Sequence, residues 1–152
     1  DHTASLPPMP NRPTLKARLR YFLHYYPLTL TCMAVIWYLC MFRPPSTPLD
    51  GITGIDKWAH TLMYLGTCSI IWWEFLRAHG RERWSRLLPW AIIGPIAMSG
   101  SIELAQTYLT SYRGGEWTDF GANCLGVVLA AALGHFVLRP LLCRTPKAGK
   151  EE

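Results

Sequence analysis

The chain has 152 residues, half of them hydrophobic and 16% charged, with a formal net charge of +5. Soluble domains usually carry about 25% charged residues, so this composition disfavours an ordinary soluble fold. The basic balance does not indicate nucleic-acid binding, because the cations lie in short clusters between apolar runs, as in loops that face anionic lipid. We therefore expect a single domain in a membrane, without a nucleic-acid partner.

The N-terminal region is polar and basic. Residues 1–8 precede Met9 and contain no apolar signal-peptide core, so we expect an added leader within a flexible segment 1–12, with Met9 as the native start. Leu15, Leu19 and Phe22 then recur on one helix face among basic residues. This pattern predicts a short basic amphipathic helix at the membrane surface. A disordered basic tail is the alternative.

Four apolar segments follow this helix, at roughly 26–42, 58–76, 87–109 and 119–142. A helix needs about 20 apolar residues to cross a bilayer. The sequence therefore predicts an all-α polytopic membrane protein with four transmembrane helices, in a domain that covers 13–142. Pro95 should kink the third segment. Gly121, Gly126 and Gly134 should let the fourth segment approach its neighbours closely.

The distribution of Lys and Arg among the connections predicts the orientation. Twelve lie on one side, namely Arg12, Lys16, Arg18, Arg20, Arg77, Arg81, Arg83, Arg86, Arg139, Arg144, Lys147 and Lys150. Three lie on the other side, namely Arg43, Lys57 and Arg113. Because cytoplasmic loops carry the excess of Lys and Arg, we expect both termini, including the basic tail 143–152, in the cytoplasm.

Polar residues that are costly in hydrocarbon fall at the outer ends of three segments. Asp56 and His60 open the second segment on one helix face, and Tyr64 continues that face one turn deeper. Glu103 and Gln106 end the third segment, again on one face. Such groups usually face a protein interior or a water-filled cavity.

The fourth segment completes this set. Asp119 and Asn123 open it on one face, and Arg113 lies in the turn before it. We therefore expect a polar pocket below the outer headgroups, where Arg113, His60 or the amides of Gln106 and Asn123 would partner Glu103. Another carboxylate, Glu74, should form an ion pair with Arg77 near the inner surface.

Three blocks in chain order carry a family resemblance. They are Asp56-Lys57-x-x-His60-x-x-x-Tyr64, Glu103-x-x-Gln106 and Arg113-x-x-Glu116-x-x-Asp119-x-x-x-Asn123-x-x-Gly126. Together they resemble the signatures of the VanZ-like family of small bacterial membrane proteins. That family is named for a protein linked to teicoplanin resistance, so the resemblance implies a bacterial plasma membrane protein with a role at the cell envelope. It does not imply an established reaction.

One functional hypothesis is binding. The pocket would hold an anionic cell-wall or lipid-linked component, or a glycopeptide-related ligand, with Arg113 as a clamp. Gln106, Asn123, Tyr64 and Glu116 are the further ligand-binding candidates. Surrounding membrane lipid is the other expected partner.

A second hypothesis is an intramembrane hydrolase or transferase that acts on a lipid-linked glycan or phosphate. His60, Glu103 and Asp119 are the candidate acid–base residues, and Asp56 would orient His60. Arg113 would stabilise developing negative charge. No nucleophile stands out in the sequence.

Two further readings remain, one structural and one functional. The polar residues could form a purely structural network between helices. Ion-coupled transport is disfavoured, because the polar set lies on one side rather than at the midplane. We expect no cofactor and no metal, although the oxygens of Asp56, Glu103 and Asp119 with the His60 nitrogen would suit Mg²⁺, Mn²⁺ or Ca²⁺.

Overall fold

A computed structural model describes residues 13–42, 48–81, 83–111 and 114–143, and this part of the chain is helical, without strands. The long helices are α1 (Leu15–Tyr25), α2 (Pro27–Met41), α3 (Ile55–His79), α4 (Trp84–Leu109) and α5 (Trp117–Leu142). A short 3-10 turn covers Pro48–Gly51. The predicted all-α class is confirmed, and the predicted amphipathic segment and four apolar segments each form a helix.

Two of these helices, α4 and α5, are long and apolar enough to cross a membrane. Helix α2 has 15 residues and would extend about 22 Å, short of a hydrocarbon core of about 30 Å. The pair α1 and α2 would count as a third span only as one broken span bent by 91°. Helix α3 has the length but is less apolar, since it includes His60 and Glu74. The described residues therefore support two clear spans rather than the four predicted.

A sharp elbow separates α1 from α2. The Thr14 hydroxyl accepts a hydrogen bond from the Ala17 N–H at 3.3 Å and so caps the start of α1. Tyr26 leaves the helical conformation (φ −130°, ψ 42°), and Pro27 starts α2. Proline suits this first position, where its missing N–H costs no helical hydrogen bond.

Glu74 of α3 holds the elbow in place. Its carboxylate accepts hydrogen bonds from the N–H groups of Leu28 (3.0 Å) and Thr29 (3.1 Å) and from the Thr29 hydroxyl (2.7 Å). These N–H groups are among the first four of α2, which have no partner within the helix. The predicted ion pair between Glu74 and Arg77 is wrong for the described structure, because the guanidinium of Arg77 lies over the ring of Trp73 instead.

Helix α3 is the centre of the bundle. It contributes six of the buried apolar side chains, namely Tyr64, Cys68, Ile71, Trp72, Phe75 and Leu76. Its closest neighbour is α5, and two glycines of α5 permit the contact. A Cβ on Gly126 would lie 2.5 Å from the Thr61 carbonyl oxygen, and one on Gly134 would lie 2.2 Å from the Trp72 ring. Gly121 has no atom within 4 Å of its Cβ position, so the prediction of close approach holds at two of the three glycines.

Helix α4 contains two prolines and remains a single helix. Its turns widen to a π-helix over Leu88–Ile93, and the Gly94 N–H bonds to the Pro89 carbonyl, five residues back. Pro95 has no N–H to donate, and a wider turn just before it accommodates that loss. Pro95 is therefore buried inside a continuous helix rather than at a break.

The helices alternate in direction, so the bundle has two chemically different ends. We call one the acidic end: it holds the last turns of α2 and α4 and the first turns of α3 and α5. The charged side chains that the structure describes there are those of Asp56, Lys57, Glu103, Glu116 and Asp119. At the other, basic end lie Lys16, Arg18, Arg20, Arg77, Arg81, Arg83, Arg86 and Arg139, with Glu74 as the only described carboxylate.

Candidate functional site

Lys57 joins three carboxylates of the acidic end. Its amine donates to Asp119 Oδ1 and to Glu116 Oε2 (2.8 Å), and it lies 3.8 Å from Asp56 Oδ2. Lys57 precedes the apolar stretch 58–76, and the hydrogen bonds to Asp119 and then Glu116 raise its pKa above the usual lysine value. The amine therefore stays charged across the physiological pH range. The stabilisation that its hydrogen bonds to Asp119 and Glu116 provide would be lost only as the pH rises beyond the ordinary lysine pKa.

His60 lies deeper, between two helices. Its Nδ1 is 3.1 Å from Asn123 Oδ1, while its Nε2 is 3.5 Å from Asp119 Oδ2 and 3.7 Å from Asp56 Oδ1. An amide oxygen only accepts hydrogen bonds, so Nδ1 carries a proton in this arrangement. Nε2 is thereby directed at two carboxylates.

Asn123 extends the contact into the core. Its Nδ2 donates to the Ser99 hydroxyl at 2.8 Å, and both side chains are buried. A continuous line of polar side chains thus runs from Lys57 through Asp119, His60 and Asn123 to Ser99. The line links α3, α5 and α4, and we call it the polar line.

Side-chain exposure falls steeply from the surface of the acidic end to the buried end of the polar line. The side chains of Asp56 and Glu116 are 56% and 61% exposed, that of Lys57 is 37% exposed and that of Asp119 is 4% exposed. Ser99 is 1% exposed and is no accessible nucleophile in this conformation. A ligand that arrives at the acidic end meets Lys57, Asp56 and Glu116 first.

Glu103 and Gln106 satisfy the ends of neighbouring helices. Glu103 Oε2 accepts the N–H of Glu116, the residue just before α5, at 2.9 Å. Gln106 Nε2 donates to the Cys40 carbonyl in the last turn of α2 at 3.0 Å. Backbone groups at helix ends need such partners. The Glu116 backbone N–H was not among the partners expected for Glu103, and the Gln106 amide, which was, donates to the Cys40 backbone instead.

The other predicted residues divide into two cases. Tyr64 is buried one turn below His60, and its hydroxyl neighbours Ser99 without forming a well-aligned hydrogen bond. Arg113, the predicted clamp, lies outside the described residues.

The cation that the described structure brings to this cluster is Lys57, whose role the sequence reasoning missed. The sequence did carry a signal for this role, because Lys57 lies beside Asp56 and three residues before His60, at the start of the same helix.

Three of these side chains have the spacing of a metal-binding group. One ligand atom from each of Asp56, His60 and Asp119 lies within 4.8 Å of the others. Two carboxylates and an imidazole would suit Mg²⁺ or Mn²⁺, with Asn123 fixing the imidazole ring from behind. The ammonium group of Lys57 already supplies a positive charge to Asp119, so a metal ion would compete with it.

Searches of protein-family models, of curated proteins and of solved structures found no match to this chain. The resemblance to the VanZ-like family therefore rests on the three motif blocks alone.

Proposed function

We propose that this chain is a VanZ-like protein of the bacterial plasma membrane whose acidic end binds an anionic cell-wall or lipid-linked component, with a link to glycopeptide (teicoplanin) resistance. The observation that carries the proposal is the polar line from Lys57 to Ser99. A buried polar chain with one partly exposed charged end fixes a cation at a defined position, and this is what recognition of an anionic group requires.

The exposed part of the cluster suggests how the ligand would be held. The Lys57 amine would pair with a phosphate or carboxylate of the ligand. Asp56 and Glu116 would accept hydrogen bonds from its amide or hydroxyl groups. Arg113, four residues before α5 in the sequence, is retained as the second cation, since the three carboxylates around Lys57 alone would repel an anion.

The proposed arrangement in the membrane has four spans and cytoplasmic termini. Helix α3 would be the central span, because its polar residues face neighbouring helices rather than lipid. The basic end would face the cytoplasm, following the excess of Lys and Arg there. Reporter fusions test this: a fluorescent protein at the C-terminus should fold, and alkaline phosphatase at the same position should be inactive. Active phosphatase would show that the C-terminus lies outside the cytoplasm, which is the opposite orientation.

Teicoplanin susceptibility and ligand binding test the function together. We expect expression in a susceptible host to raise the inhibitory concentration of teicoplanin. Lys57→Gln and Arg113→Gln should remove that increase, whereas Lys16→Gln, an exposed cation at the basic end, should retain it. The purified protein should also retain an undecaprenyl-linked peptidoglycan precursor in native mass spectrometry. Unchanged susceptibility and retention in both site variants would refute the binding proposal.

One observation favours the enzyme alternative. The Asp119 carboxylate and the His60 imidazole, 3.5 Å apart, form the type of pair that supports proton transfer. Turnover of lipid-linked glycans or phosphates by the purified protein, followed by mass spectrometry, would support catalysis. Loss of turnover in His60→Asn, with binding retained, would assign the proton transfer to the His60 imidazole. Absence of any product with intact binding would reject this alternative.

A structural role is the third reading, and it accounts best for Glu103 and Gln106. Both make hydrogen bonds to the ends of other helices. If variants at Lys57 and His60 lowered stability without changing any ligand-dependent measurement, the whole cluster would share that role.

A further inference from the structure

The elbow between α1 and α2 lies at the basic end of the bundle. A cavity of about 500 Å³ opens there between α1, α2 and α3. Its lining includes His24, Trp73, Glu74 and Arg77. No step of the proposed function uses these residues.

Arg77 is the charged group of this cavity that can serve a ligand. Its side chain is exposed, and its guanidinium carbon lies 5.0 Å from the centre of the Trp73 ring. Within the described residues it forms no ion pair. The neighbouring Glu74 does not occupy it, because the Glu74 carboxylate accepts three hydrogen bonds from the start of α2. An arginine stacked on an aromatic ring keeps its N–H donors available for a phosphate.

An apolar groove adjoins the cavity. It has a volume of about 700 Å³ and is lined by Leu23 and, along α2, by Leu30, Ala34, Val35 and Tyr38. Pro27 lines both the cavity and the groove, so the two meet at the elbow. From Pro27 to Tyr38 the groove follows α2 for about 16 Å, at 1.5 Å per residue.

The position of the elbow fits an amphiphile rather than a water-soluble anion. Because α1 turns by 91° from α2, it lies across the bundle end when α2 runs along the membrane normal. Three further cations, Lys16, Arg18 and Arg20, stand on α1. The charged cavity would then lie among lipid headgroups, and the groove would extend into the acyl chains.

We propose that the elbow binds one anionic phospholipid of the surrounding leaflet. Its phosphate pairs with Arg77, which is stacked on Trp73, and one acyl chain lies in the groove along α2. Such a lipid fixes the angle between α1 and α2 in addition to the bond network of Glu74. This site is independent of the acidic end and of the ligand proposed there.

Native mass spectrometry of the detergent-purified chain tests the site. The probes are dioleoyl phosphatidylglycerol and dioleoyl phosphatidylcholine, which share acyl chains and differ in net charge. We expect the first phosphatidylglycerol to bind at least about fivefold tighter than phosphatidylcholine. Arg77→Gln should reduce this preference to within about twofold, whereas Arg81→Gln, an exposed cation at the same end that lines neither cavity nor groove, should retain it.

A groove variant separates a lipid site from a simple anion site. Ala34→Trp should weaken binding of both lipids, because the new ring fills the groove beside Val35. Inorganic phosphate at the same concentration should not displace phosphatidylglycerol. Equal loss in Arg77→Gln and Arg81→Gln, equal affinity for both lipids, or displacement by phosphate would each overturn the proposal.

Discussion

His60 of α3 and Asn123 of α5 face each other across the closest helix contact in the bundle, with Nδ1 and Oδ1 3.1 Å apart. The contact fixes the ring of His60 so that Nε2 is directed at Asp56 and Asp119. It also leaves the amide NH₂ of Asn123 free to donate to Ser99. One amide therefore connects a charged cluster to the interior of α4.

Ser99→Ala should destabilise the protein. The substitution leaves the buried NH₂ of Asn123 without its acceptor, which costs about 1–3 kcal/mol. Ser101→Ala is the matched control on the same helix, because the exposed Ser101 hydroxyl bonds only to the Ala97 carbonyl of its own helix. Chemical denaturation in detergent, followed by circular dichroism, compares the two. Equal midpoints for both variants would contradict the importance of the polar line for stability.

Gly126→Ala should separate α3 from α5. The new methyl group would lie 2.5 Å from the Thr61 carbonyl oxygen and 2.9 Å from the Leu65 nitrogen, both backbone atoms. Overpacking of this kind costs about 1–3 kcal/mol, measurable as a lower thermal midpoint. Gly121→Ala, five residues earlier on α5, meets open space and gains helix propensity, so it should be neutral or stabilising. A stable Gly126→Ala protein with an unstable Gly121→Ala protein would reverse the packing assignment.

Glu74→Gln should loosen the start of α2. The amide keeps one acceptor oxygen and presents an NH₂ group to donors, so at least one of the three hydrogen bonds from Leu28 and Thr29 is lost. We expect faster hydrogen exchange at the amides of Leu28 and Thr29, by about tenfold for a loss of about 1.4 kcal/mol. Thr31→Ala removes only a bond to the Pro27 carbonyl and serves as the control. Unchanged exchange in Glu74→Gln would show that the carboxylate does not hold the elbow.

Lys57→Gln should create or strengthen a divalent cation site. Without the ammonium group, Asp56, Glu116 and Asp119 retain three negative charges beside His60, and the ligand atoms of Asp56, His60 and Asp119 stay within 4.8 Å. We expect Mn²⁺, followed by electron paramagnetic resonance, to bind at least about tenfold tighter than to the parent protein. The gain should disappear in Lys57→Gln combined with Asp119→Asn. If Lys57→Gln bound no more Mn²⁺ than the parent, the group would lack metal-binding geometry.

Much of this organisation was accessible from helical periodicity. The spacing of Asp56 with His60, and of Asp119 with Asn123, placed each pair on one helix face, and the structure brings these four side chains together. Gly126 and Gly134 were also identified correctly as close-contact positions. Such inferences work because residues three or four apart share a face in any α-helix, whatever surrounds it.

Other contacts depended on information that periodicity lacks. Glu74 was assigned to Arg77 on its own helix, yet it bonds to the start of α2. The sequence did not indicate that α3 is the centre of the bundle, because the polar residues of α3 lower its mean hydropathy. Only the positions of the neighbouring helices show that these polar residues are enclosed. The number of spans depends on the same kind of information: two helices are clear spans, whereas α2 is short and its continuity with α1 depends on an elbow angle.

The sequence by itself determined an all-helical, apolar chain with basic residues at one end of the bundle and a cluster of acidic and amide residues at the other. Only the tertiary structure decided that Lys57 pairs with Asp119, that Glu103 bonds to the Glu116 backbone and that Gln106 bonds to the Cys40 backbone. The physical reason is that periodicity specifies the face on which a side chain lies. The partner depends on which helices are adjacent and at what relative height, and packing of the whole bundle sets both.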